Sequence, residues 1–250
     1  MFRSSNPALR RMGTYQQGEV LESASYKGIA FKSLYFIALT IGAGLVTFFT
    51  TIDLVETNET LLIALMIAGP MVAFICSLVA IFSPRMTPYF GSVYALMQGL
   101  FLGAISAFFN YFYEGIVLAA LGATISVFLI MAVLYATGAI RVGAFFRKFM
   151  IAALLSMLLF TLVVMIISFI EPSVGETFYG NGPVAIIVCV IMIILAALML
   201  LLDFDRMTQI VQNGMDKKYE WTGAFGLLLT LVWLFIEFLR LFAIIASRRR

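Results

Sequence analysis

Seven long apolar stretches constrain the fold of this chain more than any other feature. A helix needs roughly 20 apolar residues to cross the hydrocarbon core of a bilayer, and each stretch reaches about that length. Only 12% of the 250 residues are charged, whereas a soluble domain is about one quarter charged. The sequence therefore predicts an all-α membrane protein with seven transmembrane helices. The stretches are about 31–52, 60–82, 89–110, 115–140, 148–170, 183–203 and 221–246.

A polar segment, residues 1–28, precedes the first apolar stretch. A secretory signal peptide has an apolar core of about 7–15 residues followed by a small-residue cleavage site. The first apolar stretch is longer than such a core, and no cleavage site follows it. We therefore expect residues 1–28 to form a polar cytosolic N-terminal arm and residues 29–250 to form one seven-helix transmembrane domain.

The connections between the stretches indicate the orientation in the membrane, because Lys and Arg are retained on the cytoplasmic side. Successive connections along the chain are assigned in turn to opposite sides of the membrane. The connections on one side are then basic, and those on the other side carry acids with no Lys or Arg. The N-terminus is therefore predicted to be cytoplasmic. The basic set is Arg3, Arg10, Arg11, Lys27, Arg85, Arg141, Arg147, Lys148, Arg206, Lys217 and Lys218, and the acidic set is Asp53, Glu56, Glu59, Glu114, Glu171 and Glu176.

The end of the chain conflicts with this count. Seven crossings place the C-terminus outside, yet the last three residues, Arg248 to Arg250, favour the cytosol. A seventh segment that only dips into the membrane would also reconcile the tail. Six connections agree with the alternating pattern, so we favour seven full crossings.

Several chemistries are excluded by residues that the chain lacks. There is no histidine, so any response to pH has to come from carboxylates. There is also no phosphate-binding loop and no Ser or Cys with a His partner, and we expect neither an enzyme nor a cofactor. Cys76 and Cys189 lie inside apolar stretches and are interpreted as packing residues. Topology accounts for the basic residues, so the net charge of +3 does not indicate nucleic acid.

The segment "LLLDFDRMTQI", residues 200–210, places two acids at the end of the sixth stretch. The turn signal at Asn213 and Gly214 predicts that this helix continues from about Pro183 to Asn213. Asp203 then lies inside the helix, and the turn geometry puts it level with about Thr230 of the seventh helix. Asp205 points about 200° away from Asp203, so at most one of the two faces inward; either acid could instead be solvated at headgroup level.

Glu237 is the strongest candidate for a functional residue, because a charge in mid-membrane costs about 2.5–3.5 kcal/mol on insertion scales. It lies on one stripe of the seventh helix with Thr230 and Arg240. Arg240 is one turn away and could form a structural clamp with Glu237. Alternatively, the carboxylate titrates or contacts an ion, or it snorkels to an interface. Arg85, in "SPRMTP", is either a positive-inside anchor or the cation that holds Asp203 in a closed state.

The chain resembles the bacterial branch of the Bax-inhibitor family of seven-helix membrane proteins. The resemblance lies in "SSNPAL" at 4–9, "LLLDFDRMTQI" at 200–210 and "EWTGAFGLLLTLVWLFIEFLRLF" at 220–242. It implies six helices surrounding a central seventh, in the bacterial inner membrane. It also implies a pH-sensitive calcium leak, gated by a pair of aspartates on the sixth and seventh helices.

The resemblance places the sixth-helix aspartate at Asp203, with Asp205 as the competing assignment, and places the seventh-helix position at Thr230. Glu237 is the candidate substitute, two turns away on the same stripe. We therefore expect a passive, pH-modulated leak of calcium or another cation along Asp203, Glu237 and Arg240. Calcium prefers six to eight oxygen ligands, so its contact is expected to be transient. The alternative is a regulator that binds and inhibits another membrane protein, such as a protease, through the N-terminal arm.

Overall fold

A computed structural model describes residues 22–51 and 59–248, with side chains of the second helix described from residue 63. Within these ranges the chain is α-helical apart from its turns and one isolated β-bridge. The helices are α1 (Tyr26–Thr51), α2 (Glu59–Phe82), α3 (Thr87–Phe112), α4 (Ile116–Ala136), α5 (Ala144–Ile170), α6 (Pro172–Tyr179), α7 (Pro183–Gln212) and α8 (Lys218–Ser247).

All of these helices except the short α6 are long and apolar enough to cross a membrane. The prediction of an all-α protein with seven membrane-length helices is therefore confirmed for the described residues. Proline lies in the first turn of α3, α6 and α7, where its missing N–H costs no helical hydrogen bond. Gly214 follows α7 in the left-handed region, with φ at 59°, and ends that helix close to the predicted position.

The helices differ widely in how deeply they are buried. In the most apolar 18-residue segment of α8, 56% of the residues are buried, whereas only 11% are buried in the corresponding segment of α5. Helix α8 packs against α7, α1, α4 and α3, whereas α5 packs mainly against α6 and α7. The last helix is thus the most enclosed of the spans; the complete ring of six helices around it stays a prediction.

Helices α1 and α3 approach closely at their small residues. A methyl group on Gly99 would lie 2.5 Å from the carbonyl oxygen of Thr40 on α1, so this position accepts only glycine. Nearby, Phe36, Tyr94 and Phe225 pack edge to face and join α1, α3 and α8. Small residues permit the close approach, and the aromatic side chains fill the space beside it.

The helix bundle has two ends, which we call the α7–α8 end and the α6 end. The α7–α8 end holds the turn at residues 213–217 and, beside it, residues 22–25. The α6 end holds α6 and residues 180–182, and there Arg248 Nε donates a hydrogen bond to the carbonyl oxygen of Asn181, 3.0 Å away. Helix α8 therefore runs from one end to the other and does not merely dip into the bundle. Most of the predicted N-terminal arm, residues 1–21, lies outside the described residues.

Candidate functional site

Asp203 points into the bundle from α7 and is only 4% exposed. Thr230 on α8 donates a hydrogen bond from its hydroxyl to Asp203 Oδ2, over 2.5 Å. A methyl group on Gly226, one turn earlier on α8, would lie 3.3 Å from Asp203 Oδ1. The equal depth of Asp203 and Thr230, predicted from the position of the turn, is present in the structure.

Asp205 lies on a different face of α7, as the helical period requires. Its Oδ2 pairs with Arg147 of α5 at 2.9 Å and accepts a hydrogen bond from Gln209 Nε2 at 2.5 Å. Because the Arg147 side chain is 44% exposed, this ion pair is accessible to solvent. Asp205 therefore links α5 to α7 near the α7–α8 end, while Asp203 is the acid that faces α8.

Glu237 lies deeper along α8, about seven residues or 10 Å from the level of Thr230, and is 7% exposed. Its Oε2 lies 3.7 Å from Arg240 Nη1, which is longer than a hydrogen bond. Among the described residues, Oε2 has no hydrogen-bond partner. The side chains of Trp233 and Cys189 contact the same carboxylate. Glu237 is therefore enclosed by protein and does not snorkel to an interface.

Arg240 connects Glu237 to the short helix α6. Its Nη2 donates a hydrogen bond to the Phe178 carbonyl oxygen over 3.0 Å, and its guanidinium lies 4.7 Å from the centroid of the Tyr179 ring. The Tyr179 hydroxyl in turn donates to Thr161 of α5 over 3.0 Å. Sequence reasoning treated residues 171–182 as a plain connection, so it missed α6 as the second partner of Arg240.

Arg85 does not meet Asp203 in this structure. It is exposed in the turn between α2 and α3, at the α7–α8 end, where its charge acts on Asp216. The Lys218 hydrogen bonds, followed by the charges of Lys218 and Arg85, hold the pKa of Asp216 below its ordinary value. The charge that acts on Asp203 comes from Arg206, one turn further along α7. The anchoring role of Arg85 stays a prediction.

A third buried acid, Glu220, was not among the residues singled out from the sequence. Its side chain is 1% exposed and pairs with Lys32 of α1. Glu220 Oε1 also accepts hydrogen bonds from the Ser25 backbone N–H at 2.7 Å and the Ser25 hydroxyl at 3.1 Å. The sequence does contain a signal for this ion pair: a lysine at the edge of the first apolar stretch and a glutamate at the start of the last one.

Together these residues place three buried carboxylates along the α7–α8 pair, at different depths. Within the described residues, no three metal-binding side chains come together as a cluster. Calcium prefers six to eight oxygen ligands at once, and these three separated carboxylates do not supply such a set.

Seven membrane-length helices with ionisable groups enclosed between them define a polytopic helical membrane protein. The chain matches the family model described as Bax inhibitor 1 like over residues 6–247. It therefore belongs to that family, as the motifs near its end predicted, and the family consists generally of non-enzymatic membrane proteins. No curated protein sequence matches the chain.

Proposed function

We propose that this Bax inhibitor 1-like protein is a passive, pH-modulated leak for calcium or another cation. The observation that carries the proposal is the enclosure of two carboxylates, Asp203 and Glu237, on the facing helices α7 and α8. Ionisable groups inside a membrane domain are costly and mark ion or proton pathways. The proposed setting is the bacterial inner membrane, with the N-terminus in the cytoplasm.

The two carboxylates have different roles in the proposed path. Glu237 Oε2 has no hydrogen-bond donor among the described residues, so it is the oxygen free to contact a passing cation. Asp203 is held by the Thr230 hydroxyl and ties α7 to α8. Protonation of Asp203 removes the charge that strengthens this hydrogen bond, which changes how firmly α8 is held.

Arg240 controls the charge at the deeper carboxylate. Its guanidinium stays near Glu237 while it also bonds the Phe178 carbonyl oxygen of α6. A cation that approaches Glu237 has to compete with this fixed positive charge, which keeps the leak slow. The acids of the predicted outward connections, Glu114, Glu171 and Glu176, raise the local concentration of cations at the α6 end.

Flux measurements on reconstituted vesicles test the proposal. Vesicles containing a calcium-sensitive dye are scanned over pH with the wild-type protein, Glu237→Gln and Asp203→Asn. We expect pH-dependent flux in the wild type, reduced flux in Glu237→Gln, and flux that varies little with pH in Asp203→Asn. Asp205→Asn is the matched control, since it makes the same chemical change on the same helix at a solvent-accessible ion pair.

One outcome contradicts the leak, and another contradicts the proposed path. Flux no greater than that of empty vesicles at every pH would leave the alternative, a membrane-protein regulator, as the better hypothesis. Flux that is unchanged in both Glu237→Gln and Asp203→Asn would mean that ions follow a path other than the one between α7 and α8. In the regulator case, deletion of residues 1–21 should abolish the phenotype, because the arm supplies the docking element.

A further inference from the structure

The α7–α8 end contains an arrangement that the leak path does not use. Among the described residues, the carboxylate of Glu220, the third buried acid, accepts its hydrogen bonds from Ser25 and Lys32 and forms its ion pair with Lys32. Gly28 lies between them, and a methyl group there would collide with the Glu220 carboxylate. We refer to Ser25, Gly28, Lys32 and Glu220 as the Glu220 latch.

Backbone hydrogen bonds extend the latch onto the turn between α7 and α8. The Ala24 N–H donates to the Met215 carbonyl oxygen over 2.7 Å, and the Lys217 N–H donates to the Glu22 carbonyl oxygen over 3.0 Å. An antiparallel β-bridge pairs residues 23 and 216 between these two bonds. Residues 22–25 therefore lie along the turn as a short paired segment, which we call the strap.

The strap is held mainly by polar contacts, with one apolar side chain, Ala24, packed in the core. Of its four residues only Ala24 is buried. The Glu22–Lys217 ion pair is largely exposed, with side chains 70% and 56% accessible. Segments with few buried apolar contacts open at a low free-energy cost. The strap can therefore detach without unfolding the helices beneath it.

Detachment of the strap would change the environment of α8. It would remove the two Ser25 hydrogen bonds from Glu220, while Lys32 stays beside the carboxylate on α1. A buried carboxylate that loses hydrogen-bond donors is destabilised, so Glu220 would shift toward water. Glu220 is on the same helix as Thr230, ten residues or about 15 Å earlier. Movement of this end of α8 is thus transmitted to the hydrogen bond between Thr230 and Asp203.

We propose that residues 22–25 form a releasable strap whose acceptor is Glu220, and that its release frees the α7–α8 end of α8. Lys32 and Glu220 are positioning residues in this arrangement, because they hold the strap and touch no transported ion. The docking of the strap is independent of any transport activity. Its consequence for flux rests on the proposed leak.

Disulfide trapping in membranes tests the docking directly. Residues 23 and 216 are directly opposite in an antiparallel bridge, a geometry within reach of a disulfide. The full chain carrying Ser23→Cys and Asp216→Cys should form an intramolecular disulfide rapidly under mild oxidation. The native Cys76 and Cys189 are buried, and the chain with only these two cysteines gives the background.

Latch variants in this double-cysteine chain decide the role of Glu220. We expect several-fold slower disulfide formation in Glu220→Gln, Lys32→Met and Gly28→Ala. The exchanged pair, Lys32→Glu with Glu220→Lys, should stay slow, because a lysine at position 220 cannot accept the hydrogen bonds of Ser25. Gly28→Ala keeps both charged groups and favours the helix, so it remains informative if the charge variants fail to fold. Asp205→Asn should leave the rate unchanged. Equal rates in all three latch variants and the parent would overturn the proposal.

Calcium flux through the disulfide-locked protein tests the consequence separately. We expect the lock to lower flux and a reducing agent to restore it. If the disulfide forms as expected but locking leaves an existing flux unchanged, the strap docks without controlling the path and the regulatory part is overturned. If no variant conducts at any pH, the proposed leak fails, and the rates of disulfide formation still decide whether the strap docks on Glu220.

Discussion

Glu220 and Glu237 are two carboxylates on the same helix, α8, and each is less than one tenth exposed. Glu220 has a lysine and two hydrogen-bond donors from Ser25. Glu237 has an arginine at 3.7 Å and one oxygen without a hydrogen-bond partner among the described residues. The difference teaches that burial alone does not define the role of a membrane acid. The number and origin of its donors separate a structural carboxylate from one that can exchange partners.

The origin of the partners matters as much as their number. The partners of Glu220 come from a segment nearly 200 residues earlier in the chain, so they hold distant parts together. The cation beside Glu237 comes from its own helix, one turn away, so the Glu237–Arg240 pair itself joins no distant segments; the contact with α6 is made by Arg240 and does not involve the carboxylate. We expect the first carboxylate to support stability and the second to support function.

The largest expected effect is the loss of stability in Glu220→Leu. Removing one member of a buried ion pair leaves the other charge uncompensated and lowers the free energy of unfolding by about 3 kcal/mol. We expect a value at the low end of the range for such pairs because the Lys32 side chain is 14% exposed. Thermal unfolding in detergent, compared with Glu22→Gln, measures this cost. The exposed Glu22–Lys217 pair should contribute nothing measurable. Equal melting temperatures for both variants would remove the distinction between structural and functional acids.

A smaller loss of stability is expected in Thr230→Val, which keeps the shape of the side chain and deletes the hydrogen-bond donor to Asp203. A hydrogen bond to a charged group contributes about 1.5–3 kcal/mol. Thr222→Val is the matched control on the same helix, because the Thr222 hydroxyl is buried with no partner among the described residues. That control should be neutral or slightly stabilising. A loss in Thr222→Val as large as that in Thr230→Val would contradict the assignment.

Glu237→Gln should lose less stability than either variant, under about 1 kcal/mol. Within the described ranges Oε2 accepts no hydrogen bond that the substitution could remove, and Arg240 keeps the Phe178 carbonyl oxygen and the Tyr179 ring as partners. Thermal unfolding checks the stability, and calcium flux in vesicles should fall in the same variant. Severe destabilisation would show that Glu237 belongs with Glu220 as a structural acid.

The smallest expected effect is that of Asp216→Asn, in the exposed turn. The Lys218 hydrogen bonds hold the pKa of Asp216 below its ordinary value of 3.8. The favourable interaction is therefore present above that pH and is lost as the pH falls through the lowered pKa. The wild type should exceed Asp216→Asn slightly in melting temperature at neutral pH, and the difference should vanish in acid. A difference in melting temperature that grows in acid would contradict the predicted direction of the pH dependence.

Much of the site could be read from local patterns. The position of Gly214 predicted where α7 ends, and that position set Asp203 level with Thr230. The spacing of Glu237 and Arg240 predicted that they are neighbours on one helix. The partners of Arg240 on α6 and of Glu220 near the N-terminus could not be read in this way, because they depend on which helices meet and on how each is rotated.

The sequence by itself determined the seven membrane-length helices, the end of α7 and the family, because apolar length, turn residues and motifs are local properties of the chain. Only the tertiary structure decided that Glu220 is joined to Lys32 and that Glu237 Oε2 has no donor in the part of the chain that the structure describes. The physical reason is that a span such as α4 is almost equally apolar on all of its faces, so its composition does not specify which face meets a neighbour. Packing of side chains over long sequence separations makes that choice.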